Sequence, residues 1–326
     1  MRLPESDIAQ ARALLDHAKR ILCVCHRNPD GDAIGSLLGM GLLLENAHRE
    51  TSVTMHCVDP VPEMFHFLPG AFRVSSVPTP IPAPEDTAFV FLDCGEPKLT
   101  ELHESHPQLF DGTYTSLMID HHYNNPRFGT VNLLVPDASS TCEIVCWFAQ
   151  QAGWTINGDI ATCLLTGVYT DTGGLLHSNV TPDVYRTIGH LVRAGGRRQE
   201  VVTGVFRTGK LSTLKLWGRV LEKINLTDEG GAISAVTEGD FRATGADYSE
   251  LTGAIDYVNA VPGMRFSLIL SERDGKVKGS LRTLRDDVDV SKMAQKFSGG
   301  GHKKAAGFAL TGKLKPEVRW KVVDDE

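Results

Sequence analysis

Ile21-Leu22-Cys23-Val24-Cys25-His26-Arg27-Asn28-Pro29-Asp30-Gly31-Asp32 decides how this chain is read. Five residues of strand character end on an imidazole. Two carboxylates follow in a turn that Pro29 and Gly31 enforce. The same grammar returns downstream. Phe89-Val90-Phe91-Leu92 ends on Asp93, and Leu117-Met118-Ile119 ends on Asp120-His121-His122. Asp171 follows a helical stretch, in Tyr169-Thr170-Asp171-Thr172-Gly173. Open α/β sheets form their sites outside the carboxyl ends of the strands, where such positions converge. Carboxylates gathered this densely repel one another unless cations sit among them, so the pattern predicts a metal site holding two ions. A mixed imidazole and carboxylate set suits Mn²⁺, Fe²⁺, Co²⁺ or Zn²⁺ better than Ca²⁺. An isolated Asp-Gly-Asp is ordinarily just a turn, and a lone Asp-His-His is ordinarily surface or cap chemistry. Their joint occurrence at element ends carries the inference.

Strands are expected at 21–25, 52–58, 88–92 and 116–119, with helices between them, notably Ala33 to Asn46. This alternation predicts a parallel sheet with helices on both faces. Asp7, with Gln10 behind it, reads as the N-cap of a first helix. Further helices are expected from Ser140 to Ala152 and from Asp159 to Tyr169. The proline-rich stretch 77–87 reads as a loop, and 182–225 reads as mostly helical. After Gly230-Gly231 the pattern changes to short alternating strands at Ala232–Thr237, Arg265–Leu270 and Lys276–Arg282. A hairpin turn is expected at Ser271-Glu272-Arg273-Asp274-Gly275 and a helix over Val290–Phe297. The expected organisation is an α/β chain with a catalytic parallel-sheet domain over 1–181 and a helical linker over 182–229. A smaller α/β domain over 230–312 and a polar tail over 313–326 follow.

The chain has 326 residues, long enough for two domains. Its 33 basic and 40 acidic residues leave a net charge of −7, which argues against coating long duplex nucleic acid. The seven cysteines lack paired zinc-type spacing and read as reduced core residues of a cytoplasmic protein. The N-terminal segment has no apolar core of a signal peptide, and no apolar run approaches the ~20 residues that span a bilayer.

His26-x-Asn28-Pro29-Asp30-Gly31-Asp32, Asp93, Asp120-His121-His122 and Asp171 together resemble the four motifs of the DHH phosphoesterase superfamily. Gly299-Gly300-Gly301-His302 resembles the signature of its DHH-associated C-terminal domain. The likeness runs over nearly the whole chain and is nearest to the standalone, NrnA-like branch. That resemblance implies a metal-dependent phosphodiesterase and phosphatase acting on very short RNA of two to five nucleotides and on 3′-phosphoadenosine 5′-phosphate (pAp). It implies that His26 and Asp30 bind one ion, that Asp32, His121 and Asp171 bind the other, and that Asp93 bridges them, most often with Mn²⁺. His122 would face the phosphate and Asp120 would orient the neighbouring imidazole. Arg282, Gly299, Gly300, Gly301, His302 and Lys303 would hold substrate phosphate. The resemblance also allows a homodimer.

Two alternatives accompany this expectation: a phosphodiesterase for cyclic-di-AMP or pApA, and a nucleotide-binding regulator without catalysis. Two departures stand out. The family often places aromatics after Thr172-Gly173, where this chain has Gly174-Leu175-Leu176-His177. Ser298 stands where glycine is common. His177 reads as a polar loop residue or a substrate contact.

Overall fold

The computed structural model describes residues 3–76, 81, 83–206 and 210–315. Pro78, Pro80 and Pro82 of the expected proline-rich loop lie outside the described residues, as does the expected tail from 316 onward. Pro84–Asp86 forms a short 3-10 turn leading into a strand. The chain divides into two compact units, Met1–Thr208 and Gly209–Glu326.

In chain order the first unit contains α1 (Glu5–His17), β1 (Arg20–Val24), α2 (Gly31–Ala47), β2 (Ser52–His56), β3 (Thr87–Leu92) and β4 (Thr115–Asp120). β5 (Val131–Leu134), α3 (Thr141–Ala152), α4 (Gly158–Asp171), α5 (Pro182–Arg193) and α6 (Arg198–Phe206) complete it. The sheet order is β2-β1-β3-β4-β5, all parallel. Chain direction across the sheet reverses between β1 and β3, the switch point where open α/β sheets place ligands.

The expected helices on both faces are not what forms. Ile21 and Cys23 of β1, Ala88, Val90 and Leu92 of β3, and Leu117 and Ile119 of β4 pack in one core with residues of α1–α6. The alternate residues Leu22, Val24, Phe89, Phe91 and Met118 turn to the other face. There they meet Leu102, Leu109, Tyr114, Phe110 and Phe128, from loops and the 3-10 turns Pro97–Thr100 and Pro107–Leu109. Pro97, Pro107, Gly112 and Pro126 punctuate these connections too closely for an α-helix to propagate.

α1 also starts earlier than expected. Pro4 precedes it and its carbonyl accepts from Asp7 and Ile8 N–H, so Asp7 sits in the first turn rather than at the cap. There its charge still favours the helix N-terminus. β5, short and interrupted by Asn132, was not expected at all.

The second unit contains α7 (Leu211–Glu222), β6 (Asn225–Leu226), β7 (Gly231–Val236), α8 (Glu238–Thr244), α9 (Ala254–Asn259), β8 (Phe266–Arg273) and β9 (Lys276–Arg282). α10 (Val290–Gln295), β10 (Gly300–His302) and β11 (Ala305–Thr311) follow. Its sheet order is β10-β11-β9-β8-β7-β6, with β7 and β8 parallel and the other pairs antiparallel. The hairpin turn contracts to Asp274-Gly275, both left-handed (φ 49° and 71°), the geometry of a two-residue type I′ turn. β8 therefore extends three residues beyond the expected strand.

Residues 182–229, expected as a linker, are shared between the units. Val184 and Leu191 of α5 and Val201 of α6 are buried in the first core, whereas Leu216 and Val220 of α7 are buried in the second.

Candidate metal centre and its surroundings

β1 delivers His26 and the turn behind it. Asn28 adopts a left-handed conformation (φ 50°), and its N–H donates to Asp59 Oδ2 (2.6 Å). Asp30 caps α2, its Oδ1 accepting from Asp32 and Ala33 N–H at 3.0 Å each. The N-cap and the expected ligand are thus one side chain, and the capping oxygen Oδ1 is also the one that stands 4.0 Å from His26 Nε2.

Asp32 lies in the first turn of α2 and is fully buried. Its oxygens accept from Thr141 N–H (2.6 Å) and Cys142 N–H (2.9 Å) at the start of α3. α4 brings Asp171 alongside because α2 and α4 meet through glycines. A Cβ on Gly31 would come within 2.4 Å of Thr170, and one on Gly167 within 2.4 Å of Asp32 Oδ1. Asp93 leaves β3 with φ 59°, a conformation Asp tolerates better than most residues, and Thr141 Oγ1 donates to its Oδ1 (3.1 Å).

These segments converge. His26 Nε2 stands 3.5 Å from Asp93 Oδ2 and 4.0 Å from Asp30 Oδ1. His121 Nε2 stands 3.4 Å from Asp171 Oδ2, 3.7 Å from Asp93 Oδ1 and 3.9 Å from Asp32 Oδ2. Three groups offer ligand atoms within 4.8 Å of one another: His26–Asp30–Asp93, Asp32–His121–Asp171 and Asp93–His121–His122.

The tautomers discriminate among them. His26 Nδ1 meets Arg27 carbonyl oxygen (2.7 Å) and His121 Nδ1 meets that of Ala138 (3.3 Å). A proton on each Nδ1 leaves Nε2 with a lone pair for a cation. His122 differs, since its Nδ1 pairs with Asp120 Oδ1 at 2.8 Å. That nitrogen is committed, so the third group is the poorest of the three as a cation cage.

The electrostatics fit a cation site. Burial, then the neighbouring Asp30, pushes Asp32 up to about 6, against lowering hydrogen bonds from α3. Burial, then Asp32, pushes Asp171 up to about 7 and holds Asp93 well above the usual carboxyl range. Carboxyls this close and this buried keep protons unless a cation replaces them. The hydrogen bond with Asp120 pushes His122 up to about 9, over the opposing effect of burial. Burial alone would raise Asp120, but its bonds to His122 and Asn125 hold it below the ordinary value.

Several contributors carried no usable sequence signal. Asn125 is buried; its Nδ2 donates to Asp120 Oδ2 (2.6 Å) and to Cys94 carbonyl oxygen (3.1 Å). Thr141 and the Cys142 amide hold Asp93 and Asp32 as described. Asn179 Nδ2 donates to the carbonyl oxygens of Ser139 (3.2 Å) and Asp171 (3.3 Å). His177 closes the loop after α4, its Nδ1 3.0 Å from Asp171 carbonyl oxygen and its ring filling the space over Gly173.

The expected phosphate-holding residues lie in the second unit. Register aligns Arg282 of β9, Ala305 of β11 and His302 of β10 in one row across the sheet, with the small Ala305 in the middle. Gly300 and Gly301 form the edge strand β10, rather than a free loop. Gly299 N–H donates to Ala294 carbonyl oxygen, and a Cβ there would strike Gly307 carbonyl oxygen at 2.3 Å. Ser298 adopts φ 56°, which accounts physically for a glycine preference at that position. His302 and Lys303 are exposed, while Lys304 is engaged by Asp286 (2.8 Å).

All seven cysteines are buried free thiols, and no described helix is long and apolar enough to cross a membrane.

Comparison with known proteins identifies the family. Residues 20–168 match the DHH family N-terminal domain, and residues 230–325 match the DHHA1 domain. The chain is 32% identical over 292 residues to the bifunctional oligoribonuclease and PAP phosphatase NrnA of Thermus thermophilus, covering 90% of this chain and 84% of that protein. It is 24% identical over 288 residues to the protein of the same name from Bacillus subtilis, covering 87% of each. The fold superposes on an exopolyphosphatase-related protein from Bacteroides fragilis with a TM-score of 0.83. That match covers 95% of this chain and 93% of the other at 24% identity.

Proposed function

Because this chain belongs to the DHH family and carries a DHHA1 domain behind its DHH domain, we propose that it is a metal-dependent phosphoesterase. It hydrolyses short oligoribonucleotides to 5′-mononucleotides and pAp to AMP, in the cytoplasm.

The observation that carries this reading is the placement of Asp93. Its Oδ2 faces His26 and its Oδ1 faces His121, so one buried carboxylate addresses both ligand groups. That supports two cations, one held by His26, Asp30 and Asp93 and one by Asp32, His121, Asp171 and Asp93. The mixed donor set suits Mn²⁺, Fe²⁺, Co²⁺ or Zn²⁺, and among these the family resemblance favours Mn²⁺. Bound there, the ions supply a water of lowered pKa and neutralise charge on the phosphoryl oxygens.

The chain's own residues do the rest. Asp120 fixes the His122 ring through Nδ1, which leaves Nε2–H to donate to a phosphoryl oxygen or to the departing oxygen. Asn125 holds Asp120, and α3 holds Asp32. Arg282 and Lys303 bind substrate phosphate by charge and His302 as a hydrogen-bond donor, with Gly299, Gly300 and Gly301 permitting close backbone approach.

The test is hydrolysis by the purified chain with Mn²⁺, comparing pAp, pApA, cyclic-di-AMP and 5′-labelled RNA from two nucleotides upward. Fast mononucleotide release from the shortest RNAs, with phosphate release from pAp, is the expected result. Activity confined to cyclic-di-AMP or pApA would move the chain to second-messenger turnover. No metal-dependent turnover with retained nucleotide binding would make it a regulator.

A further inference from the structure

Resting on the nucleotide phosphoesterase reading above, we propose that Tyr123 is a specificity-determining residue that stacks on the substrate's nucleobase. The metal ligands and His122 recognise phosphate, and phosphate alone does not distinguish a nucleotide from any other ester. Base recognition needs a flat π face near the reacting phosphate, which aliphatic side chains such as Leu175 and Leu176 do not offer. The other aromatics near the strand ends are committed elsewhere. Phe89, Phe91, Phe110, Tyr114 and Phe128 form the core on the sheet face opposite α1–α6. Tyr169 is buried with its hydroxyl accepting from Arg198 (2.7 Å).

Tyr123 follows His122 directly, so its Cα lies about 3.8 Å from that of the phosphate-facing imidazole. It is 86% exposed. Among the described residues its ring stacks on no other and its hydroxyl makes no hydrogen bond. Yet the turn that carries it is rigid. Asn125 N–H donates to His122 carbonyl oxygen (3.2 Å), Arg127 N–H donates to Asn125 Oδ1 (2.8 Å), and Asn125 Nδ2 ties the turn to Cys94 and Asp120. A pinned backbone carrying an exposed, unpartnered ring one residue from His122 costs little entropy on stacking. Stacking tolerates any base, which suits a substrate class defined by length rather than sequence.

The test compares equilibrium binding of AMP and of base-free ribose 5-phosphate to the Mn²⁺-loaded full chain, in wild type, Tyr123→Ala and Tyr123→Phe. Binding is read without turnover, so failure of the phosphoesterase reading, seen as absent hydrolysis, is separable from failure of this one. Wild type should prefer AMP. Tyr123→Ala should shrink that preference on the order of tenfold, and Tyr123→Phe should keep it. An AMP preference that survives in Tyr123→Ala, or that wild type never shows, overturns the proposal. Equal weakening of both ligands by Tyr123→Ala also overturns it, because that would place the effect on phosphate.

Discussion

Asp93 combines three features at one position: a left-handed backbone, full burial, and one oxygen directed at each of two imidazoles. Asp93→Ala should therefore be the most damaging single change at the site. Turnover should fall to background while the far-ultraviolet circular dichroism spectrum stays native, and wild-type rates would remove Asp93 from the proposed centre. Asn125 acts one contact further out. Asn125→Ala leaves Asp120 short of a donor and frees the His122 ring. Turnover should fall about 10- to 100-fold, as for other groups that orient a metal-site side chain. A pH–rate profile and titration of metal affinity check it, and an effect on metal affinity alone would contradict the assigned role. At this scale the motifs were legible: every expected ligand position lies in the cluster. Asn125 and Thr141 were not, because a single Asn or Thr has too many ordinary uses to stand out.

At the scale of elements, the centre depends on how closely α2 and α4 approach. Adding a Cβ at Gly167 puts it 2.3 Å from Cys142 Sγ and 2.4 Å from Asp32 Oδ1. Gly167→Ala should destabilise the protein by about 1–3 kcal/mol and weaken metal binding, as read by urea unfolding and metal titration. Gly218 is the control: it lies within α7 and a Cβ there meets nothing within 4 Å. Gly218→Ala should be neutral or stabilise by up to about 1 kcal/mol, since only backbone entropy changes. The strands and the long helices were legible as elements from their apolar runs. The covering of the second sheet face was not, because Phe89 and Phe91 look alike in sequence whether a helix or a loop lies over them.

For the whole molecule, two consequences follow. In the metal-free protein burial pushes Asp32 up to about 6 and Asp171 up to about 7, above the ordinary 3.8. The folded state holds these protons more tightly than the unfolded chain does. Their stabilisation is complete below the unfolded value and is lost as pH rises through the folded values. Metal-free protein should therefore show a falling Tm between about pH 4 and pH 7. Asp171→Asn should flatten that fall, and saturating Mn²⁺ should abolish it. Calorimetry in chelator and in Mn²⁺ checks this, and an unchanged slope in Asp171→Asn would refute it. The two-unit organisation carries the other consequence. Arg282→Ala and His302→Ala should raise KM for short RNA while leaving metal affinity at the wild-type value. Loss of metal binding in either variant would overturn the division of labour.

The sequence by itself determined the two-part α/β organisation, the family, and the positions where strands and helices hand over to the His and Asp residues of the candidate metal centre. These are local properties: period-two apolar runs, turn-forming Pro and Gly, and ligand chemistry written in consecutive letters. Only the tertiary structure decided which Asp93 oxygen faces which imidazole, which ring nitrogen stays free, and which of 182–229 belongs to which core. It also decided that Asp32 is held by the start of α3, more than one hundred residues along the chain. Those facts depend on distances between segments remote in sequence, and such distances exist only once the sheet has paired and α2 has closed on α4.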